Sequence, residues 1–320
     1  MSAHLLGPLA PCFTDPAITD VMVNAGREVW VERHGQMERT ALTLAPGQIE
    51  HMVERILAPL GIRIDLVSPI ADARLPDGSR LHVVVPPVSP DGMCVSIRRF
   101  RATPLELEAF APPDVVRLLD DAVRKRANIV VSGATSAGKT TLLNALAGHC
   151  GRTERIVTIE DAAELRLPGD HIVRLEARRA SADGLGAVTT RDLVRAALRM
   201  RPDRLVIGEV RGSEALDMLQ ALNTGHDGSL TTCHANSALD ALHRIDTMAL
   251  LAASGLPLEA VQYQVHRSID LVVHVARGNQ GHRQITEVAA SALGPQRLRS
   301  LADTNGVRPG VKTMWEGRAS

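Results

Sequence analysis

The sequence predicts an α/β protein built from two domains, and three features of the chain indicate this. From residue 126 onward, short apolar runs rich in branched residues alternate with helical segments, the pattern of a parallel sheet covered by helices. Residues 1–103 instead hold several strand-like runs around one helical segment, which favours a smaller α+β domain. Pro104, Pro112 and Pro113 separate the two patterns. A chain of 320 residues has room for both domains.

The first domain is expected to be mostly strand. The runs VMVNAG, EVWVERHG and QMERTALTL predict three strands, and IEHMVERILAPLG, which follows Pro46 and Gly47, has helical spacing. In RLPDGSRLHVVVPP an Asp-Gly turn precedes an apolar strand, and GMCVSIRRF predicts the last strand of the domain. The boundary therefore falls between Arg101 and Pro112. After it, PPDVVRLLDDAVRKR begins a helix with proline in its first turn.

The second domain is expected to alternate strand and helix. Strands are predicted at NIVVS, RIVTIE, HIVRLE, RLVIGE and GSLTTC. Helices are predicted at TTLLNALAG, TTRDLVRAALRM, SEALDMLQALNTG and ALDALHRIDTMALLA. Beyond about Leu293 the chain is rich in Arg, Gly and Pro without clear periodicity, which predicts a loosely ordered tail. The predicted organisation is a domain of residues 1–103, a linker and leading helix of 104–125, a domain of 126–292 and a tail of 293–320.

Composition and charge exclude several classes of protein. The formal net charge is zero, so no global field draws the chain to nucleic acid or anionic lipid. Aromatic residues make up 2%, too few for a base-stacking surface, so no direct nucleic-acid binding is expected. No stretch resembles a secretory signal or approaches the roughly 20 apolar residues of a spanning helix. The four cysteines form no CxxC pair, which argues against a disulfide framework or a zinc knuckle and favours a soluble protein of a reducing compartment.

The segment GATSAGKT, Gly133 to Thr140, matches the pattern G-x-x-x-x-G-K-[ST] at every position. It follows the predicted strand NIVVS and opens the helix TTLLNALAG, which is the context of a phosphate loop rather than of a chance Gly-rich turn. Backbone N–H groups and the helix N-terminus favour phosphate there. Lys139 can reach the β- and γ-phosphates, and the Thr140 hydroxyl can ligate Mg²⁺. The predicted nucleotide-binding residues are Gly133, Ala134, Thr135, Ser136, Ala137, Gly138, Lys139, Thr140 and Thr141.

Acidic residues follow two of the predicted strands. Glu209 comes directly after an apolar strand, where the acid that holds metal or orients water belongs in a phosphate-loop enzyme. Glu160, Asp161 and Glu164 lie at the end of another strand. Both ends would meet at the carboxyl edge of the sheet, where ligands bind in open α/β folds. The alternative for each acid is a surface residue at a strand end. The predicted metal ligands are Thr140, Glu160 and Glu209.

The segment TGHDGSLTTCHAN, residues 224–236, concentrates His226, Cys233 and His234. These three side chains are at most three zinc ligands, and adjacent residues on a strand face opposite sides, so a metal site is disfavoured. Because the segment follows the Glu209 strand by one helix, we expect it at a strand end of the same sheet. Two alternatives stay open, buried histidines bonded to backbone and histidines that sense a bound ligand.

Four blocks in this order resemble the secretion ATPase superfamily. GATSAGKTT, TIEDAAEL, RMRPDRLVIGEVRG and TGHDGSLTTCHAN are similar to the Walker A, Asp box, Walker B and His box of the motors of type II and type IV secretion and of type IV pili. SPIADARLPDGSR, VVVPP and SIRRF look most like the CpaF-type ATPases of tight-adherence (Flp) pili. The resemblance covers roughly Ile18 to Val288. It implies a RecA-like P-loop NTPase domain preceded by a smaller α+β, PAS-like domain, with ATP and Mg²⁺ as cofactors.

The resemblance also implies roles for other residues. His226 and His234 would be sensors or γ-phosphate contacts. The first domain would close over the nucleotide and supply arginines, here Arg80, Arg98 and Arg99 with Arg74 behind them, since guanidinium suits the charge of phosphoryl transfer. The alternative is that these arginines are solvated or pair with Asp72 and Asp77. A subunit interface is a further possible role for the arginines that flank the Walker B strand, which are Arg201, Arg204 and Arg211.

The function implied is a Mg²⁺-dependent, hexameric ATPase motor at the cytoplasmic face of an inner-membrane pilus or secretion platform, attached through protein partners. Lys139 and Thr140 would hold phosphate and Mg²⁺, and Glu160 and Glu209 would handle metal and water. The alternatives are a type IV secretion ATPase that exports DNA or effectors and a slowly cycling nucleotide-gated scaffold. A GTPase is disfavoured because no [NT]-K-x-D motif is present. Two departures stand out, the short stretch before the first domain and the absence of the paired CxxC of many type II members.

Overall fold

The computed structural model describes residues 3–99, 105–178, 186–252, 255–278, 282–292, 294, 297–309 and 311. The chain divides into two compact units, Met1–Thr103 and Pro104–Ser320, called here the first and the second unit. Among the described helices, none has the length and apolar character needed to cross a bilayer.

The first unit is an antiparallel sheet of six strands in the order β3-β2-β1-β6-β5-β4. Its elements are α1 (Ala3–Leu6), a 3₁₀ helix (Gly7–Phe13), β1 (Ile18–Asn24), β2 (Glu28–Arg33), β3 (Gln36–Thr43), α2 (Gln48–Leu57), a 3₁₀ turn (Ala58–Leu60), β4 (Ile70–Arg74), β5 (Arg80–Val84) and β6 (Cys94–Arg98). Alternate residues such as Leu81 and Val83 are buried, and α2 packs Ile49 and Met52 into the same core. The alternate residues His82, Ser96 and Arg98, on the other face, are exposed.

The second unit is built on a nine-stranded sheet in the order β15-β14-β13-β12-β7-β11-β10-β8-β9. Its strands are β7 (Ile129–Gly133), β8 (Ile156–Glu160), β9 (Ile172–Glu176), β10 (Arg204–Val210), β11 (Leu230–His234), β12 (Leu271–Arg277), β13 (Arg283–Ser291), β14 (Leu298–Asp303) and β15 (Gly306–Val307). Its helices are α3 (Pro113–Arg124), α4 (Lys139–Ala147), α5 (Thr190–Ala197), α6 (Glu214–Leu222), α7 (Ala238–Ala252) and α8 (Leu258–Ser268), with 3₁₀ turns at Leu107–Ala109 and Leu198–Met200.

The strands from β12 to β9 are parallel, and β13 to β15 are antiparallel. Every residue of β7 and β8 is buried, because helices cover both faces of the sheet and two separate apolar clusters form there. Thr189 caps α5: its hydroxyl accepts from the Asp192 N–H at 3.2 Å, and the Asp192 carboxylate accepts from the Thr189 N–H. Parallel pairing gathers the ends of β7, β11, β10 and β8 along one edge.

The fold departs from the sequence prediction at the C-terminal end. The prediction of a loosely ordered tail is wrong for β14 and β15, because β14 pairs with β13 and buries Leu301 and Ala302. The Val307 N–H donates to the Asp114 carboxylate at 2.6 Å, which fastens β15 to α3. Residues 312–320 of the predicted tail lie outside the described residues. The strands β12 and β13 and the helix α8 are further elements that the sequence patterns had not indicated.

Candidate functional site

The phosphate-loop segment lies between a buried strand and a helix. Residues 134–138 join the end of β7 to the start of α4, and Ser136 (φ +60°) and Gly138 (φ +104°) adopt left-handed backbone that turns the chain. At Gly133 a Cβ atom would lie 2.5 Å from the Val275 carbonyl oxygen, so no side chain fits. The first N–H groups of α4 therefore open onto a tightly folded loop, the arrangement that binds phosphate.

Lys139 is the first residue of α4, and its side chain folds back over the loop. Its Nζ donates to the Ala134 carbonyl oxygen at 3.0 Å. Burial lowers the pKa of the Lys139 ammonium, and the negative charge of Glu209 opposes that shift. Thr140 and Thr141 follow in the same helical turn and are partly exposed. The cation and two hydroxyls thus lie where the sequence predicts phosphate and metal contacts.

The two strand-end glutamates take different positions. Glu209 on β10 is half-buried and pairs with Arg211, whose Nε lies 2.8 Å from the Glu209 carboxylate. Arg211 also lies 3.2 Å from Asp161. Arg211 therefore joins two strand ends at the candidate site; its side chain is 63% exposed, and the subunit-interface role considered from the sequence stays a prediction.

Glu160 is 4% exposed and organises the loop that follows β8. One of its carboxylate oxygens accepts from the N–H groups of Glu164 and Leu165, at 2.8 and 3.0 Å. Its side chain crosses the neighbouring strand at Gly208, where a Cβ atom would lie 3.0 Å from Glu160 Cγ. The glycine before Glu209 thus makes room for Glu160, and the two acids lie on adjacent parallel strands, β10 and β8.

The two histidines of TGHDGSLTTCHAN lie at opposite ends of β11, so the predicted γ-phosphate contact is wrong for His226, while a sensor role stays a prediction. His234 is the last residue of β11 and pairs with Gly133, beside the phosphate loop. His226 precedes β11, whose first residue pairs with Ile129 at the start of β7. Since five strand residues span about 13 Å, His226 cannot contact a nucleotide held at Gly133. Its Nδ1 lies 3.2 Å from the Ala221 carbonyl oxygen, a local backbone contact.

The same geometry bears on the zinc alternative. His226 and His234 cannot share an ion across the length of β11, and Cys233 is fully buried. Burial raises the pKa of the Cys233 thiol to about 11. Among the described residues, no group of three or more His, Cys, Asp or Glu side chains is placed to hold a metal ion by itself.

Arg204 also differs from its predicted role. It is 2% exposed, its Nε donates to Glu154 at 2.7 Å, and its Nη1 donates to the Val123 carbonyl oxygen at 2.8 Å. A side chain buried and bonded in this way cannot serve a subunit interface. Arg201 is exposed in left-handed backbone, φ +55°, at the end of a 3₁₀ turn.

Three candidate arginines of the first unit form a row on the exposed face of its sheet. Strand register places Arg74 opposite Arg80, and Arg80 opposite Arg98. Arg98 pairs with Asp20 at 3.2 Å. Register thus aligns these three residues across the adjacent strands β4, β5 and β6.

Arg99 follows β6 and has a different set of contacts. It donates to the carbonyl oxygens of Asp15, Ile18 and Phe13, and its guanidinium lies over the Phe13 ring at 5.4 Å. These bonds hold the segment before β1. Of the two acids considered as arginine partners, Asp72 lies 2.8 Å from His82, and Asp77 accepts from the Ser79 hydroxyl at 2.9 Å.

Sequence reasoning missed two basic residues that contact the phosphate loop, Arg277 and Arg283. Arg277 donates through Nε to the Ser136 carbonyl oxygen at 2.8 Å, and Arg283 donates through Nη1 to the Thr141 hydroxyl at 3.3 Å. The available signal was the segment ARGNQGHR, which carries Arg277 near its start and Arg283 at its end. Only the pairing of β12 with β7, and of β13 with β12, brings the two arginines to the loop.

A phosphate loop between a central parallel strand and its helix, with acids on neighbouring strand ends, defines a P-loop NTPase domain of the RecA-like type. A sequence profile of the family described as Type II/IV secretion system protein matches residues 3–319. The chain belongs to this family.

Similar proteins of known sequence carry names from conjugal transfer and type IV secretion. A putative conjugal transfer protein of Mycobacterium tuberculosis is 40% identical over 307 residues, which cover 92% of this chain and 87% of that protein. The type IV secretion system protein VirB11 of Brucella suis is 33% identical over 320 residues, which cover 88% of each chain.

Two solved structures extend the comparison. The VirB11 ATPase of the Brucella suis type IV secretion system, solved in complex with sulphate, has a TM-score of 0.51 at 32% identity and covers 90% of this chain and 94% of its own. The pilus retraction motor PilT with bound ADP has a TM-score of 0.64 at 23% identity, with coverage of 87% and 80%. At that identity the likeness to PilT speaks for the fold alone.

Proposed function

We propose that the chain binds ATP with Mg²⁺ and hydrolyses it as the motor of a membrane-associated secretion or pilus machine. The observation that carries this proposal is the meeting of a phosphate loop, a helix-opening lysine and a strand-end glutamate at one sheet edge. The VirB11 relative, which is called an ATPase, supports the same reaction.

The residues at that edge fit a magnesium nucleotide. The Thr140 hydroxyl and the Glu209 carboxylate are the hard oxygen donors that Mg²⁺ takes, with water and phosphate oxygens completing its shell. When bound, the ion neutralises charge that develops on the phosphates. Glu160 holds its loop through two backbone N–H groups, so we propose a role for Glu160 in supporting this site from the next strand.

We propose the following catalytic roles from the placement of the residues. Lys139 supplies positive charge beside the phosphates, and the pairing with Arg211 holds the Glu209 carboxylate in one orientation to accept a proton from water. We propose that His234, which pairs with Gly133 on the neighbouring strand, reports which nucleotide is bound. On chemistry alone, we propose the row of Arg74, Arg80 and Arg98 as a further source of cations for the phosphates in the assembled enzyme.

We propose a homohexamer that works on protein partners of an inner-membrane platform. The sequences of the first-unit segments SPIADARLPDGSR, VVVPP and SIRRF favour a tight-adherence pilus, as proposed above. The names of the Mycobacterium and Brucella relatives favour type IV secretion or conjugal transfer. Genomic neighbours separate the two branches: pilin and platform genes support the first, and channel and relaxase genes the second.

The proposed activity is tested by ATP turnover and nucleotide binding in two variants, after light scattering of the purified chain with Mg²⁺ and a non-hydrolysable ATP analogue. Lys139→Ala is expected to lose nucleotide binding or turnover, and Glu209→Gln to keep binding while turnover falls about 10²-fold or more. Lys125→Ala is the matched control, because Lys125 is an exposed lysine paired with Asp121 on α3. Full turnover in Glu209→Gln would refute the role assigned to Glu209. A wild-type chain that binds ATP tightly but does not hydrolyse it would favour the scaffold alternative.

A further inference from the structure

The paired strands β12 and β13 carry two arginines close to the phosphate loop. β12 runs parallel to β7 with His274 opposite Ser132, so its carboxyl end reaches the edge where the loop begins. Arg277 ends β12 and Arg283 begins β13, and the two residues are directly paired. Both side chains are partly buried. The strand pair therefore delivers two guanidinium groups to one end of the loop.

Arg283 lies across the glycine that precedes Lys139. A Cβ atom at Gly138 would lie 2.5 Å from Arg283 Cδ and 3.0 Å from Arg283 Nε, so the arginine occupies the space a side chain would need. From there its Nη1 reaches the Thr141 hydroxyl at 3.3 Å, in the first turn of α4. The guanidinium is thus at the helix N-terminus, where phosphate oxygens bind.

Arg277 supports the loop from outside. Its Nε donates to the Ser136 carbonyl oxygen at 2.8 Å, and Ser136 is one of the two left-handed residues of the loop. This contact is to backbone, and it holds the loop in its turned conformation. Arg277 is therefore a positioning residue.

The order of the strands indicates how the triphosphate of a bound nucleotide is oriented across the sheet. β7 has β11 and β10 on one side and β12 and β13 on the other. Glu209 stands on the β10 side, so the hydrolysed γ-phosphate belongs there, within reach of Lys139. Arg283 stands on the β13 side. A triphosphate cradled at the loop with its γ end toward β10 has its α-phosphate toward β13.

We propose that Arg283 binds the α-phosphate of the nucleotide, while Arg277 holds the loop beneath it; this proposal rests on the nucleotide-binding function proposed above. An α-phosphate between Arg283 and the helix N-terminus would accept charge-assisted hydrogen bonds from both. The α-phosphate is present in ATP and ADP alike. Arg283 accordingly sets the affinity for both nucleotides and leaves the hydrolytic step unchanged.

The first measurement is binding of ADP and of a non-hydrolysable ATP analogue to the full chain by calorimetry. Arg283→Ala is expected to weaken both by a similar factor, about tenfold to hundredfold, the range for a charge-assisted hydrogen bond. Arg283→Lys is expected to recover part of the affinity. In ATP turnover, the KM of Arg283→Ala is expected to rise while its kcat changes little. Arg299→Ala is the matched control: it removes an exposed arginine of β14 that pairs with Ala290, toward the opposite edge of the sheet.

The second measurement separates phosphate contact from loop support. The two diastereomers of ADPαS differ only in which α-oxygen is sulfur, so a directed guanidinium contact makes the wild type prefer one of them. Arg283→Ala is expected to lose that preference. An unchanged preference in Arg283→Ala, an absent preference in the wild type, or an unchanged ADP affinity in Arg283→Ala would each overturn the proposal. A wild type that binds neither ADP nor the ATP analogue would instead refute the nucleotide-binding function.

Discussion

Asn128 connects three segments at the end of the second-unit sheet where its parallel strands begin. Asn128→Ala tests how much these bonds contribute to the stability of the second unit. The side chain is 2% exposed, and its Oδ1 accepts from the N–H groups of Gly228 and Ser229, at 2.8 and 3.1 Å. Its Nδ2 donates to the Ser268 carbonyl oxygen at 2.8 Å. One amide thus holds the start of β7 against the chain before β11 and the end of α8.

Alanine at this position leaves three buried backbone groups without their side-chain partner. At about 1–2 kcal/mol for each unsatisfied group, the second unit is expected to lose about 3–6 kcal/mol of unfolding free energy. This is a large share of the stability of an ordinary domain. Asn128→Asp keeps the acceptor but turns a carboxylate oxygen toward the Ser268 carbonyl, so we expect a loss of similar direction.

Hydrogen exchange followed by mass spectrometry measures this loss in the intact chain. Peptides covering β7, β11 and β12 are expected to exchange about a hundredfold faster or more, with first-unit peptides unchanged as an internal reference. Asn223→Ala is the control, since Asn223 is exposed and donates to the Ser268 hydroxyl at 2.8 Å. A loss below about 1 kcal/mol in Asn128→Ala would refute the reasoning, because it would mean that the three groups find other partners.

Two further predictions concern titrating groups. Burial raises the pKa of the Cys150 and Cys233 thiols to about 11. At pH 8 a maleimide is therefore expected to label the half-exposed Cys94 first. Labelling of Cys233 in the folded chain as fast as that of Cys94 would contradict the buried position of Cys233. Burial lowers the pKa of His274, whose Nδ1 lies 2.9 Å from the Ser132 hydroxyl. Below pH of about 6.5 the unfolded chain therefore binds more protons than the folded one, and stability falls as pH falls. His274→Gln is expected to flatten that fall in urea unfolding at pH 7 and pH 5.5, and an unchanged slope would count against it.

The local patterns that identified the phosphate loop needed no tertiary information. GATSAGKT carries its own strand, glycines, lysine and helix start within one short segment, so sequence spacing alone predicts the loop. Glu209 was found for the same reason, as an acid directly after an apolar strand. Neighbours along the chain dictate both features.

The errors came where the answer depends on which strand lies beside which. His226 and His234 are eight positions apart and look like one motif, yet an intervening strand carries them to opposite edges of the sheet. Arg204 was considered for a subunit interface from its place beside the Walker B strand, but the folded second unit buries its side chain. The prediction failed for the tail because β14 and β15 are short strands that gain their order by pairing with β13 and α3, contacts that the local sequence does not show.

The sequence by itself determined that this chain is a phosphate-loop α/β protein of the secretion ATPase type, because backbone turns, helix starts and strand ends are encoded by adjacent residues. Tertiary structure alone decided that Arg277 and Arg283 reach the loop, that Arg211 joins Glu209 to Asp161, and that Gly208 leaves room for Glu160. Each of these contacts joins different strands or strand ends. Strand order places them side by side, and strand order is set by burial and pairing across the whole sheet.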